Sequence, residues 1–282
     1  MIPKQNMDRL FSRLLKERRA VLPPILERDY VQAWILVGVG NSGLKERLAF
    51  KGGTALKKIY IPEYRFSADL DFTYINSEQR EEVLPSLKKE FESLYVYLEK
   101  EANLRCISNP DRDEKGEESF TFYINYSGPL GSSIHKRDIK INITFGEVIV
   151  CGIQEKPILR NYEEYSDLPT SAKLLVYTVE EIFVEKLCCI LDSARHEPRD
   201  IYDLWHLVNE GIVEPESIRG EFPRKAEHKK LKILDFGEVL ERKEKTYKKL
   251  WEVSLKSQVP GGSIPYFNKV YRDIQRVFKT IV

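Results

Sequence analysis

The chain has 282 residues, 42% apolar and 32% charged, which suits one or two globular domains. Its 45 Lys and Arg against 44 Asp and Glu give a formal charge of +1, excluding any global attraction to nucleic acid; such binding would need a local patch. No apolar run approaches the ~20 residues of a membrane helix, Met1-Ile-Pro-Lys-Gln-Asn lacks a signal-peptide core, and Cys106, Cys151, Cys188 and Cys189 form no C-x-x-C pair, so a cytoplasmic protein with free thiols and no membrane association is expected.

Residues 8–18 place Leu10, Phe11, Leu14 and Leu15 on one stripe of an amphipathic helix. Lys4, Arg9, Arg13, Lys16, Arg18 and Arg19 make it basic, for which a solvated face is sufficient reason. Pro23-Pro24 should break the chain, and a second helix is expected from Asp29 to Val39, ended by Gly38, Gly40 and Gly43. Leu48, Ala49 and Phe50 read as a short strand running into Gly52 and Gly53. Thr54 is placed to cap a helix that carries Ala55, Leu56, Ile59 and Tyr60. Two glycines and a hydroxyl at a helix start let backbone N–H groups approach an anion.

Ala68–Tyr74 then alternates as a strand. Asp69 and Asp71 are two residues apart, so their carboxylates share a face, about 6.8 Å apart at the backbone. Converging carboxylates suit Mg²⁺, which takes one or two of them and completes its shell with substrate phosphate and water. Taken singly, a Gly-Gly turn is usually only a turn and an Asp-x-Asp often a solvated face. Together, a phosphate cradle and paired aspartates describe a nucleotidyl-transfer site.

Residues 77–103 read as a long helix with Val83, Leu87, Phe91, Leu94 and Leu98 on one side. Strands follow at 104–108, 119–126 and 138–145, with 109–118 as the tip between paired strands, and a further strand at 173–177. In Asp138-Ile-Lys-Ile-Asn-Ile-Thr-Phe145, Ile139, Ile141 and Ile143 face one way while Asp138, Lys140 and Asn142 face the other. From Thr178 the pattern is all-helical. Thr178-Val-Glu-Glu181 has capping-box spacing for a helix to about Ser193, and Arg199–Asn209 is a second helix with Pro198 in its first turn. Asp200 and Asp203 are neighbours there, and Arg199 is expected to pair with Asp203 at i, i+4. Residues 219–256 carry twelve Lys or Arg against seven Asp or Glu, a local +5, with Tyr247 and Trp251 interleaved. A solvated helical surface and a phosphate-tracking face for RNA both fit. Residues 264–281 close the chain as an amphipathic helix.

Lys51-Gly-Gly-Thr-Ala-Leu56, followed by Arg65-x-Ser-x-Asp-Leu-Asp-Phe72, resembles the signature of the AbiEii/AbiGii nucleotidyltransferase toxin family, within the polymerase-β-like superfamily. The resemblance recurs at Leu26-Glu-Arg-Asp-Tyr30, Glu180-Glu-Ile-x-x-Glu-Lys186 and Arg199-Asp-Ile-Tyr-Asp-Leu204, covering roughly residues 26–208. It implies an α/β (α+β) fold: a nucleotidyltransferase core with a mixed sheet over residues 1–177, then a helical domain over 178–282 that closes the active cleft. It implies transfer of a nucleotide from a nucleoside triphosphate, with Mg²⁺ (or Mn²⁺) on Asp69 and Asp71. Gly52, Gly53, Thr54, Arg65, Ser67 and Lys186 would hold the phosphates, and Asp200, ranked ahead of Asp203, would line the cleft. The superfamily's third metal-facing carboxylate aligns with Asn142, which is neutral. Either Asp138 replaces it or the site works with two aspartates and one dominant metal. The resemblance further implies a toxin with an antitoxin partner and an acceptor such as the 3′ end of a tRNA. Nucleotidylation of a small molecule or protein, and a non-catalytic nucleotide- or RNA-binding module, are the alternatives.

Overall fold

Strands with a period of two organise the first part of the chain. The computed structural model describes residues 1–233 and 236–281. Its sheet is built from β1 (Leu48–Lys51), β2 (Leu70–Tyr74), β3 (Arg105–Ser108), β4 (Glu114–Lys115), β5 (Ser119–Ser127), β6 (Asp138–Thr144), β7 (Ile153–Pro157) and β8 (Lys173–Tyr177). The strand order is β3-β5-β6-β2-β1-β8-β7, with β4 paired to β5. β2 runs parallel to β6, and β1 parallel to β8. The β1–β2, β3–β5, β4–β5 and β5–β6 pairs are antiparallel, so the sheet is mixed.

Register explains what this sheet displays. Phe50, Phe72, Ile143 and Phe120 lie in one row across four neighbouring strands, and Lys51, Asp71, Asn142 and Thr121 lie in the next. Successive residues face opposite sides, so the first row enters the core and the second lines the other face. All four apolar side chains are fully buried. The Phe50 and Phe72 rings are 5.3 Å apart. Each such burial stabilises by about 1.5–3 kcal/mol. A one-residue slip would drive Asp71 into the core, and this locks the register.

The chain divides into two units, residues 1–147 with 154–176 and residues 148–153 with 177–282. In the first, α1 (Lys4–Lys16) and α4 (Arg80–Ala102) both pack on α2 (Pro23–Gly40). Phe91 of α4 meets the Phe122 ring edge-on at 4.7 Å. Pro23 and Pro24 do not break the chain before residue 29; they form the first turn of α2, where no backbone N–H is required. β7 was not expected from the sequence. Its residues are half-buried or exposed on both sides, so they carry no apolar alternation.

In the second unit α5 (Val179–Leu191) starts as its capping spacing predicts, with the Glu181 N–H donating to the Thr178 hydroxyl at 3.1 Å. α6 (Pro198–Asn209) packs against α5, α8 (Phe236–Leu255) and α9 (Phe267–Ile281), while α7 (Glu221–His228) packs on α5. Residues 148–153 are bound to this unit through Glu181. Its buried carboxylate accepts from Val150 N–H (2.7 Å), Cys151 N–H (2.5 Å) and the Lys225 ammonium (2.8 Å). Lys225 also donates to the Val148 carbonyl at 2.8 Å. Lys243 is buried as well, donating to the Ile190 carbonyl at 2.7 Å. Two of the twelve basic residues in 219–256 are therefore internal; the other ten are exposed or half-buried. Asp235, one of the seven acidic residues in that segment, lies outside the described residues.

Candidate active site

β1 ends at Lys51, and the chain turns at Gly52 into α3 (Gly52–Ala55), which continues as a π-helical turn over Leu56–Tyr60. Gly52 has φ +80°, and a Cβ there would lie 2.9 Å from Asp71 Oδ2. Only glycine combines that dihedral with so close an approach of backbone to carboxylate. Thr54 is not the cap, since Lys51 holds the capping position and Thr54 sits inside the helix. Its hydroxyl donates to the Asp69 carbonyl at 2.5 Å, tying the helix start to the residue just before β2. Gln32 of α2 donates to the Ser67 (3.2 Å) and Ala68 (2.9 Å) carbonyls. Residues 67–69 are thus clamped by their backbone, leaving the Asp69 and Asp71 side chains half-buried beside the Gly52 turn.

Asn142 orients Asp71 from the neighbouring strand. Its amide N–H donates to Asp71 Oδ1 at 3.4 Å, and its carbonyl oxygen accepts from the Thr121 hydroxyl at 3.1 Å. The Asp69 carboxylate has no hydrogen-bond or ion-pair partner among the described residues. Asp138 does not take the third position. It pairs with Arg112, opposite Asn125 and four residues from Asn142 along β6. Among the described residues no cluster of three His, Cys, Asp or Glu side chains forms a metal site. The two carboxylates are hard oxygen donors that fit a divalent cation completing its shell with substrate oxygens and water.

Arg65 is 1% exposed and donates to the Phe66 carbonyl at 3.2 Å, so its guanidinium lies within the first unit's interior. Gly53 and Thr54 are also buried, and Ser67 is half-buried. The π-helical turn behind the site carries two buried lysines. Lys58 pairs with Asp29 at 2.7 Å, while Lys57 lies 4.2 Å from the Phe66 ring centre and 5.3 Å from that of Tyr162. Burial pushes the Lys57 ammonium down to about 8.

The second unit gathers the other expected residues. Lys186 bridges Asp200 (2.5 Å) and Asp203 (3.0 Å), and Arg195 holds the second Asp200 oxygen at 2.6 Å. Burial alone would raise the Asp200 carboxyl, but the Lys186 and Arg195 charges outweigh it and hold it below the usual carboxylate range. Arg199 reaches Glu197 at 3.4 Å, and Asp203 is held by Lys186. The reason for ranking Asp200 above Asp203 therefore disappears: both are buried on one ammonium. Lys51 entered the sequence reading only as the first residue of the motif, without a role, and Glu147 and Arg195 did not enter it. Only Lys51 carried a signal, a charged residue ending an apolar strand.

A model of the nucleotidyl transferase AbiEii toxin family, type IV toxin–antitoxin system, matches residues 34–273. The fold is similar to MenT4, a nucleotidyltransferase toxin from Mycobacterium tuberculosis H37Rv, at TM-score 0.59 and 16% identity over 92% of this chain and 84% of that one. It is also similar to JHP933 from Helicobacter pylori, at TM-score 0.52 and 14% identity over 93% of each chain. No curated protein matches the sequence significantly. The mixed sheet and the signature at its centre define a nucleotidyltransferase. The chain belongs to the AbiEii family of nucleotidyltransferase toxins of type IV toxin–antitoxin systems.

Proposed function

We propose that this enzyme transfers a nucleoside monophosphate from a nucleoside triphosphate to an acceptor hydroxyl, with RNA, such as a tRNA 3′ end, as acceptor. The observation that carries this reading is the meeting of the left-handed Gly52 turn with the Asp71 carboxylate, beside Asp69. Backbone N–H groups at the start of α3 receive phosphate oxygens, with Gly52 and Gly53 allowing the approach and Thr54 fixing the turn through Asp69. Asp69 and Asp71 would hold the divalent cation, Mg²⁺ or Mn²⁺, which when bound neutralises phosphate charge and activates the attacking oxygen. Asn142 keeps Asp71 turned so that its second oxygen faces Gly52. The acceptor hydroxyl loses its proton to solvent and its oxygen attacks the α-phosphorus in line, the α–β phosphoanhydride bond breaks, and pyrophosphate leaves with the electron pair.

Arg65 and Ser67 support the phosphate turn from within the first unit, Arg65 from the interior and Ser67 through its backbone. Lys186, for phosphate charge, and Asp200 are assigned by the family resemblance alone. Family membership brings an antitoxin partner. The ten outward-facing basic residues in 219–256 favour RNA over a small acceptor. Asp69→Ala and Asp71→Ala test the site. Each should abolish transfer and growth inhibition without lowering the melting temperature, because each removes a half-exposed ligand and no core group. Full activity in either variant would refute the assignment.

A further inference from the structure

Register gives a place in the site to Lys51, which opens the Lys51–Leu56 motif but was assigned no role there. Lys51 is the direct cross-strand neighbour of Asp71, and Asn142 is the neighbour on the other side. Strands lie about 4.8 Å apart, so a fixed positive charge is rooted one strand from Asp71. The Lys51 side chain is 7% exposed and its ammonium donates to Thr144 Oγ1 at 2.9 Å and to Glu147 Oε1 at 3.4 Å. Glu147 is almost as enclosed, at 9%. Thr144 in turn lies 3.1 Å, hydroxyl to hydroxyl, from Thr73, two residues along β2 from Asp71. A buried lysine persists only when its charge is paired and its N–H groups are satisfied. Glu147 and Thr144 do both.

We infer that Lys51 and Glu147 form a charge-balancing pair that sets the affinity of Asp69 and Asp71 for their divalent cation and limits them to one. The inference rests on the nucleotidyl-transfer reading above. A carboxylate at position 142 would bring three negative charges together and attract two cations. Here that flank is an amide and the opposite flank carries a fixed ammonium. The two aspartates are matched by one divalent cation, and a second finds no unbalanced negative charge and a repelling Lys51. Glu147 offsets part of that repulsion, so the two partners of one ion pair act on the cation with opposite sign. Lys51 is thus a positioning residue acting through Asp71.

The test is Mn²⁺ binding to the full chain, titrated by electron paramagnetic resonance with melting temperatures recorded alongside. The wild type should bind one Mn²⁺. Lys51→Met removes the repulsion and should tighten binding about tenfold, whereas Glu147→Gln removes the carboxylate that offsets it and should weaken binding by a similar factor. Lys51→Arg keeps the charge and should retain wild-type affinity. A purely structural pair would shift both variants the same way, since either change breaks the same ion pair. Shifts of equal sign, or two Mn²⁺ bound by the wild type, would overturn the inference and leave nucleotidyl transfer standing. Absence of any Mn²⁺ binding by the wild type would overturn the cation reading and this inference together. If Lys51→Met does not fold, the near-isosteric Glu147→Gln decides alone, because unchanged or tighter binding there contradicts the pair's role.

Discussion

Lys57 shows how closely polar and apolar demands are set against each other behind the phosphate turn. It is 1% exposed, enclosed by Phe66 and Tyr162, with Lys58 and Asp29 nearby. Burial lowers its pKa from 10.5 to about 8. Between those values the unfolded chain holds a proton that the folded chain has shed, so rising pH stabilises the fold through this group. Below pH 8 both states are charged and the burial cost is present in full. Lys57→Met escapes that cost, and its advantage over the wild type should shrink by on the order of 3 kcal/mol from pH 7.5 to 10.5. Denaturant melts of the two proteins at those pH values measure it. A pH-independent difference would show that Lys57 is neutral, or solvated, throughout.

At the scale of the element, α5 and α6 are joined by charges that neither helix can bury alone. Lys186, Asp200 and Asp203 are each no more than 8% exposed. Lys186→Met would leave two carboxylates facing each other without their shared cation, a destabilisation of about 3–5 kcal/mol by the usual cost of breaking a buried pair. The double change Lys186→Met with Asp203→Asn should recover part of it. A thermal melt showing no destabilisation in Lys186→Met would mean that the cluster is hydrated and not structural. This joint was only half legible in the sequence. The i, i+3 spacing placed Asp200 and Asp203 near each other, and Pro198 marked the start of α6. Lys186 as their common partner is a tertiary fact, because residues 186 and 203 meet only once two helices pack. The strands were read more fully: Ile139, Ile141 and Ile143 declared β6 by alternation alone, and Asn142 was correctly placed on the Asp71 face. Thr54 was misread as a cap for a physical reason. The helix starts three residues earlier because Gly52 reaches φ +80°, a dihedral that no pattern of side chains announces. Lys51 was quoted within the motif without a role, because its partner Glu147 lies 96 residues away.

Over the whole molecule, a chain with net charge +1 holds a +5 segment whose exposed basic residues belong to the helical unit. If they track RNA phosphates, replacing Lys229, Lys230 and Lys232 together with Ala should weaken RNA binding and flatten its salt dependence. The slope should fall by about 0.7 for each single-strand phosphate no longer neutralised. Nucleotide binding should not change, because Gly53, Asp69 and Asp71 belong to the other unit. Filter binding across a salt series reads both quantities, and an unchanged slope would make the segment a solvated surface.

The fate of the nucleotide tests the Gly52–Asp71 site most directly. Purified protein incubated with each α-labelled nucleoside triphosphate, Mg²⁺ and total cellular RNA should release pyrophosphate and place the label in nuclease-sensitive material. Asp71→Asn should place none. Label that survives nuclease and yields to protease would replace RNA with a protein acceptor. No transfer from any triphosphate to RNA, protein or small molecules would contradict the assignment of the Gly52–Asp71 site as the centre of the reaction.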